Sequence, residues 1–179
     1  MSEPIRLIAM QCPRCSTPVP AQPDEWAWVC AQCGQGLLLS DEQGVSAVDV
    51  FFSAAIEQAK PGRPFWVARG AVQPVLRTTY RGNAEKDMAA FWSVPRLFYV
   101  PAYQLNVEEM VAAGVELLYN PVRMQPGSPA AFAPVVVSPA DVQPLAEFMV
   151  ISLEADRKDM LKELRFEIKL DPPQLWILP

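Results

Sequence analysis

The sequence predicts an α+β fold in two parts, a small cysteine-containing segment over residues 1–42 and a β-rich domain with two helices over residues 43–179. Three observations predict this fold. All four cysteines of the 179-residue chain lie in two close pairs between positions 12 and 33. Most of the remaining chain consists of short apolar stretches bounded by proline or glycine, which is typical of strands and turns. Two longer stretches instead place apolar residues three and four positions apart, as a helix requires.

Composition and charge indicate a folded protein without a membrane-spanning segment. Hydrophobic residues make up 51% of the chain and charged residues 20%, and the 19 prolines favour short elements and edge strands. The net charge of -5 argues against general binding to polyanions. No apolar run reaches the roughly 18–20 residues that cross a bilayer, and the first residues lack the pattern of a signal peptide. We therefore expect a cytoplasmic protein, in which thiols stay reduced.

The two cysteine pairs predict a metal site. Cys12 and Cys15 flank one pair of residues, and Cys30 and Cys33 flank another. Two residues between thiols allow a tight turn to direct both sulfurs to one point, and two such turns supply four tetrahedral ligands. Soft thiolates in this geometry suit zinc. Because four thiolates leave no open coordination position, we expect one zinc ion with a structural role.

The same four thiols have three alternative uses. Disulfides need an oxidising compartment, for which the sequence has no signal. A thioredoxin-like redox pair would need a strand–helix context, which is missing around both CxxC motifs. Iron in a rubredoxin-like site uses the same four ligands and stays open as an alternative to zinc.

The stretches CPRC and CAQCG resemble the zinc ribbon family over residues 10–40. This resemblance implies a β-hairpin held by the metal, with EWAWVC as the strand that enters the second turn and GLLLS as the returning strand. Alternation within EWAWVC places Trp26 and Trp28 on one side. Gly34 follows the second pair, where a positive φ is often required, but Ser16 follows the first pair, where the family usually has glycine. The predicted architecture is thus an N-terminal zinc ribbon followed by a β-rich α+β domain with two helices.

The β-rich part is predicted to contain short strands separated by turns. Residues 40–46, SDEQGVS, are polar and are interpreted as a linker. The next two apolar stretches are expected to pair as a hairpin across the turn KPGRP, and RGNAEKDM is expected to be a loop. Pro101 lies within the apolar stretch 96–103, so this predicted strand is expected at a sheet edge, or Pro101 is expected at its end. The predicted strands are AVDVFF (47–52), FWVARGAV (65–72), VLRTTY (75–80), RLFYVPAY (96–103), VVV (135–137), LRFEIKL (164–170) and LWILP (175–179).

Two helices are predicted in the second half of the chain. The first lies within NVEEMVAAGVELLYNP, where Asn106 and Glu109 have the spacing of a capping box and Pro121 follows the end. The second lies within SPADVQPLAEFMVISLEADR and is expected to begin near Val142, because Pro144 would break hydrogen bonds further into a helix. Its core-facing residues are predicted to be Leu145, Phe148, Met149 and Ser152 or Leu153. The mixed-charge run EADRKDMLKEL that follows is interpreted as a solvated surface.

Few residues suited to catalysis are present. The chain has no histidine, and the predicted metal uses all four thiols, which leaves no imidazole base and no cysteine nucleophile. Glycine-rich phosphate-binding motifs and the serine elbow are also missing. We therefore expect a non-enzymatic structural or adaptor protein that binds a protein partner within a larger complex. An enzyme of an unrecognised class is an alternative, since carboxylates distant in sequence can converge.

A second alternative is a zinc-ribbon protein that associates with nucleic acid. Residues 46–105 carry 7 basic and 4 acidic side chains, a net charge of +3, and their arginines alternate with aromatic residues. Arginines could contact phosphates while aromatic rings stack on bases. The aromatic residues also fit a strand core, and the charge is small for a nucleic-acid module, so nucleic acid is not the expected partner. The arginines of this alternative are Arg63, Arg69, Arg77, Arg81 and Arg96.

Overall fold

The computed structural model describes residues 9–40, 43–57 and 59–179. Within these ranges the chain forms eight strands in two sheets and three α-helices, in agreement with the α+β class. One turn of 3-10 helix, Pro139–Asp141, precedes the last helix. The elements in chain order are β1 (Ala27–Val29), β2 (Gly36–Ser40), β3 (Gly44–Ala47), β4 (Val50–Phe52), β5 (Arg63–Arg81), α1 (Glu85–Phe91), β6 (Arg96–Pro101), α2 (Val107–Tyr119), α3 (Val142–Ala155), β7 (Met160–Leu170) and β8 (Gln174–Leu178).

The small sheet is an antiparallel meander in the order β1–β2–β3. β1 and β2 form the predicted hairpin, with Trp28 opposite Leu37. Residues 40–46, predicted as a linker, instead contribute β3, which pairs with β2; residues 41–42 of that stretch lie outside the described ranges. The sequence did not predict this strand because residues 40–46 are mostly polar, and within β3 only Val45 packs against the small core of the sheet. The domain boundary drawn from the sequence stays a prediction.

β5 is the long central strand of the large sheet, whose order is β4–β8–β5–β6. It has 19 residues and pairs antiparallel with β6, β7 and β8. The sequence predicts two strands here, 65–72 and 75–80, and that division is wrong. Pro74 interrupts the apolar pattern, but the strand continues through it with a shift of register against β7 between Pro74 and Leu76. Such an irregularity accommodates a residue that has no N–H to donate.

β4 is an edge strand that pairs in parallel with β8, with Phe52 opposite Ile177. The predicted hairpin between residues 47–52 and 65–72 is therefore wrong. β8 occupies the position beside β5 that the hairpin would need. Its residues Leu175–Leu178 are all buried, so the apolar LWIL sequence is covered by the protein's own core.

Two strand predictions are confirmed. β6 lies at an edge of the large sheet and ends at Pro101. β7 alternates between exposed and half-buried residues, and its apolar side packs against the main core through Leu164, Phe166, Ile168 and Leu170. The predicted strand VVV is reduced to an isolated bridge between Val135 and Ala27.

α2 is confirmed with both of its ends. The Glu109 backbone N–H donates to Asn106 Oδ1 at 2.9 Å, and the Asn106 N–H donates to Glu109 Oε2 at 3.2 Å. This reciprocal pair is the capping box that the sequence predicts. The helix ends at Tyr119, immediately before the Asn-Pro dipeptide.

α3 begins at Val142 as predicted. The core positions predicted for Leu145, Met149 and Leu153 are confirmed, and the one predicted for Phe148 is wrong. Ala146, Met149, Val150 and Leu153 are buried, whereas Phe148 is 57% exposed. The sequence placed Phe148 in the core because it is large and apolar. The buried residues are three and four positions apart and form one face of the helix, and Phe148 lies on another face.

α1 was not predicted, and the assignment of RGNAEKDM to a loop is wrong. The helix has only seven residues and contains one buried side chain, Met88. A helix this short has a weak periodic signal and depends on tertiary contacts for its stability. One such contact is the Ala84 N–H, which donates to the Asp159 carboxylate at 2.9 Å.

The large sheet has a core on each face. Helices α2 and α3 cover one face, where Trp66, Phe98 and Met149 belong to the main core. The alternate residues of the same strands, among them Phe65 and Tyr99, form a smaller core on the other face.

Candidate metal centre

The four cysteine sulfurs converge on one point, as the sequence predicts. All four Sγ atoms lie within 4.8 Å of one another. The Cys12–Cys33 and Cys15–Cys30 Sγ pairs are 3.7 and 3.6 Å apart. Tetrahedral ligation at a Zn–S distance of ~2.3 Å places neighbouring sulfurs about 3.8 Å apart. A disulfide requires about 2.05 Å, so these are four free thiols arranged as a ligand set for a tetrahedral metal.

Two turns with the same hydrogen-bond pattern carry the sulfurs. In the first turn, the Ser16 N–H donates to Cys12 O at 2.8 Å. In the second turn, the Gly34 N–H donates to Cys30 O at 2.9 Å. The first cysteine of each pair also donates its own N–H back across the turn, Cys12 to Thr17 O and Cys30 to Gln35 O. The two CxxC motifs are thus equivalent local structures that face each other.

The residue after each pair adopts left-handed backbone geometry. Gly34 has φ 72°, and Ser16 has φ 59°. Glycine adopts this conformation without strain, whereas a serine Cβ is crowded there. The first turn therefore keeps the geometry of the second despite the departure from glycine, at some conformational cost.

A small apolar core surrounds one side of the site. Cys12 and Cys30 are buried against Trp28, Leu37 and Val19, while the second cysteine of each pair is half-exposed. The prediction that Trp26 and Trp28 share one side is wrong, because Trp26 packs against the main core. Within β1 the side chains alternate, with Ala27 and Val29 against the main core and Trp28 against the small one. Trp26 precedes β1 and does not continue this alternation.

The half-exposed thiols differ in acidity. The pKa of Cys15 is lowered to about 6, first by the Thr17 hydroxyl, whose oxygen lies 3.2 Å from the sulfur, and then by the Thr17 backbone. For Cys33, the Gln35 backbone N–H lowers the pKa, but burial and the three neighbouring thiols outweigh it and raise the pKa to about 12. Like charges this close cannot all form unless a cation compensates them. The arrangement therefore favours a metal cation at its centre.

Hydrogen bonds attach the small sheet to the large domain. The Trp26 N–H donates to Val135 O at 2.7 Å, and the adjacent Ala27 forms an isolated antiparallel bridge with Val135. Gly36 has no room for a side chain, since a Cβ there would lie 2.7 Å from Val50 Cγ2. The metal site is consequently joined to the rest of the protein by close backbone contacts on two strands.

The five arginines of the nucleic-acid alternative are not gathered into one patch. Arg63 and Arg81 begin and end the 19-residue β5, about 60 Å apart at ~3.3 Å per residue. Arg63 donates to Pro179 O at 2.8 Å, and Arg96 lies over the Phe91 ring at 3.6 Å from its centroid. Arg69 and Arg81 are exposed, and nucleic-acid binding by these residues stays a prediction.

Arg77 belongs instead to a buried ion network that sequence reasoning missed. Its side chain is 2% exposed and pairs with Asp159 and Glu154. Its Nη2 donates to Asp159 Oδ1 at 2.7 Å, and the guanidinium holds the pKa of Asp159 below its usual range. These interactions raise the pKa of Arg77, with Asp159 as the largest cause. Arg77 is therefore a structural residue.

Glu154 is the centre of this network and is fully buried. Arg157 donates to its two carboxylate oxygens at 2.7 and 2.8 Å, and Trp92 Nε1 donates to Oε1 at 2.9 Å. The interpretation of EADRKDMLKEL as a solvated surface is wrong for Glu154 and Asp159. One signal in the sequence could have identified Glu154, since it continues the four-residue spacing of the buried Ala146 and Val150 on α3.

No family model matches the chain, and comparison with curated proteins and with solved structures also found no match. The assignment of the metal site therefore depends on the geometry of its cysteines, which is compatible with a zinc ribbon. Each helix in the described ranges is too short or too polar for a bilayer span.

Proposed function

We propose that the protein is a non-enzymatic structural or adaptor component of a protein complex, with an N-terminal zinc ribbon that binds one structural zinc ion. The observation that carries this proposal is the cluster of four cysteine sulfurs within 4.8 Å of one another. Four thiolates complete a tetrahedral coordination shell, so no position is open for a substrate or an activated water. A zinc ion held in this way stabilises a fold and does not take part in a reaction.

Zinc is proposed over iron because paired CxxC turns with a closed set of four sulfurs are typical of structural zinc sites. The small core around the metal contains few large side chains, chiefly Trp28 and Leu37. A core of this size needs a metal to stabilise it. Zinc binding and folding of residues 10–40 are therefore expected to be linked.

Metal analysis of the purified protein tests the site directly. We expect one mole of zinc per mole of chain, and Cys33→Ser should lose it. Gln32→Ser is the matched control, because it introduces serine in the same turn at an exposed position that does not point a sulfur at the cluster. Iron in the site, or a folded protein with no metal, would contradict the proposal.

Support for partner binding comes from the surface. Several large apolar side chains on α2 and α3 are exposed, among them Val107, Tyr119, Phe148 and Ile151. Grouped apolar residues on a surface are typical of interaction sites. The adaptor function is tested by affinity capture of the intact protein from its native cell, followed by mass spectrometry. We expect a reproducible, near-stoichiometric partner, whereas a monomer that captures no protein would contradict the adaptor function.

A further inference from the structure

An apolar groove runs between α2 and α3 on the side of the helices away from the sheet. Its volume is about 530 Å³. Val107, Val111 and Val115 line it from α2, and Phe148 and Ile151 line it from α3. The α2 residues are four apart, so they form one continuous stripe along the helix. The groove follows α2 for 13 residues, a length of about 20 Å at ~1.5 Å per residue.

The apolar side chains of the groove are unusually exposed for their type. Phe148 is 57% exposed and Val107 is 55% exposed, and Tyr119 and Ile151 are also exposed. Water contacts with side chains of this size are unfavourable by ~25 cal/mol per Å² of apolar surface, so covering the groove would be favourable.

The rim of the groove carries only negative charge. The lining residues include Glu108, Glu116 and Asp156, and no lysine or arginine. All three carboxylates are exposed, and in the described part of the chain none of them forms an ion pair. An occupant with positive charge beside its apolar face would therefore match both the floor and the rim.

The nearest arginines do not neutralise this rim. Arg96 and Arg157 approach the Tyr119 end of the groove. However, Arg157 is directed to the buried Glu154, and Arg96 lies over the Phe91 ring. In the described part of the chain neither guanidinium pairs with a rim carboxylate, and the charged residues that line the groove are all acidic.

We propose that this groove, hereafter the α2–α3 groove, binds a basic amphipathic helix of a partner protein. The proposal rests on the adaptor function proposed above and specifies the surface and the chemistry of the partner. A helix of about 13 residues would match α2 in length and present apolar residues three and four positions apart. Lysines or arginines flanking that stripe would face Glu108, Glu116 and Asp156.

The charge of the rim distinguishes this occupant from two others. A second copy of the chain, docked groove to groove about a two-fold axis, would bring acidic rims together. An anionic membrane surface would be repelled for the same reason. A basic helix of another protein is the occupant that the observed charges favour.

A model peptide tests the proposal on the intact, zinc-loaded protein. The probe is a fluorescein-labelled 16-residue peptide of leucine and lysine, with the leucines at helical spacing. Its matched control has glutamate in place of every lysine. Fluorescence anisotropy at about 0.1 M salt should give a Kd at least tenfold lower for the lysine peptide than for the glutamate peptide. Added salt should weaken the binding of the lysine peptide.

Two variants locate the binding site. Phe148→Ala should weaken binding of the lysine peptide at least tenfold, because an exposed aromatic side chain at the centre of an interface contributes much of its affinity. Tyr80→Ala, at an exposed aromatic residue on β5 outside the groove, should leave the Kd unchanged within about twofold. Both substituted residues are exposed, so both variants should melt close to the wild type.

A charge reversal tests the role of the rim. Glu116→Lys combined with Asp156→Lys should reduce the preference for the lysine peptide over the glutamate peptide at least tenfold. Both positions lie in the C-terminal half of their helices or beyond, where lysine is compatible with the helix dipole. An unchanged preference would overturn the proposal.

Other results would also overturn it. These are equal binding of both peptides, an unchanged Kd in Phe148→Ala, or a wild-type dimer that Phe148→Ala dissociates. Native-cell capture separates this inference from the adaptor function on which it rests. If wild-type protein and Phe148→Ala capture the same partner equally well, the groove assignment fails and the adaptor function stands. If wild-type protein captures no partner, the adaptor function fails, and with it the physiological role of the groove.

Discussion

Glu154→Ala removes the centre of the buried ion network and is expected to destabilise the protein strongly. The network contains two arginines, Arg77 and Arg157, and two carboxylates, Glu154 and Asp159. Their formal charges cancel. Removing Glu154 leaves two positive groups with one carboxylate, and it leaves the Trp92 indole N–H without its acceptor.

The expected loss of stability in Glu154→Ala follows from the interactions that the remaining side chains of the network can still form. Breaking a buried ion pair by removing one partner costs about 3–5 kcal/mol, and an orphaned buried donor such as the Trp92 N–H costs about 1–3 kcal/mol within that range. Arg77 keeps its pair with Asp159, and Arg157, which is partly exposed, can turn to water. We therefore expect a loss of about 3 kcal/mol, near the lower end. For a chain of this size that corresponds to roughly 6–12 °C in Tm.

Urea unfolding followed by tryptophan fluorescence measures this loss. Glu147→Ala is the matched control on the same helix, since Glu147 hydrogen-bonds only an exposed Gln143 side chain and should change stability by less than about 0.5 kcal/mol. A loss in Glu154→Ala below about 1 kcal/mol, with an unchanged denaturant slope, would refute the view that the network stabilises the fold.

Three further predictions concern the cysteine turns and the pH dependence of stability. Gly34→Ala should destabilise the zinc-loaded protein by about 1 kcal/mol through backbone strain alone, since a Cβ there meets no atom within 4 Å. Ser16→Gly should stabilise the zinc-loaded protein by about 0.5 kcal/mol. The urea midpoints of the two variants and the wild type measure these changes. Because Arg77 lowers the pKa of Asp159 in the folded state, this carboxylate stabilises the protein above about pH 4, and that stability is lost as the pH falls through the lowered pKa. Asp159→Asn should therefore show a smaller decrease in stability between about pH 4 and pH 2 than the wild type, as urea midpoints across this range would measure. Acid should also release zinc, because protons compete with the metal for thiolates. A colorimetric zinc chelator measures this release. In Cys33→Ser the zinc should already be fully released at neutral pH.

The features that could be predicted from sequence are those set by local chemistry. The cysteine turns depend on residues within a few positions of one another. The same holds for α2, whose start is determined by Asn106 and Glu109 and whose end precedes Pro121. Alternation in β7 and the edge position of β6 also follow from local pattern.

The features that could not be predicted depend on distant residues. β4 and β8 pair across most of the chain, and nothing in either stretch specifies a parallel partner. Proline locally disfavours the interior of a strand, but β5 continues past Pro74 because it pairs with β7 on both sides of this residue. α1 is held by contacts such as the one from Ala84 to Asp159, which lies 75 positions later.

The candidate site shows the same division. Convergence of the four sulfurs could be predicted, because each CxxC turn directs its two sulfurs to one point and paired CxxC motifs are typical of a shared metal site. The exposure of Phe148 could not, because it depends on which face of α3 packs against the rest of the protein. The burial of Arg77 also could not, since its partners Glu154 and Asp159 are about 80 positions away.

The place of β8 in the large sheet has a consequence for the order in which the protein assembles during synthesis. The cysteine turns and their small core use residues 10–45, so the hairpin that carries the second cysteine pair can form while the ribosome is still translating. β4 follows directly, yet among the described strands its neighbour in the large sheet is β8, where Phe52 lies opposite Ile177. Until β8 emerges, the nascent chain keeps an apolar strand unpaired beside the cysteine hairpin, which is the stage at which a chaperone would be needed.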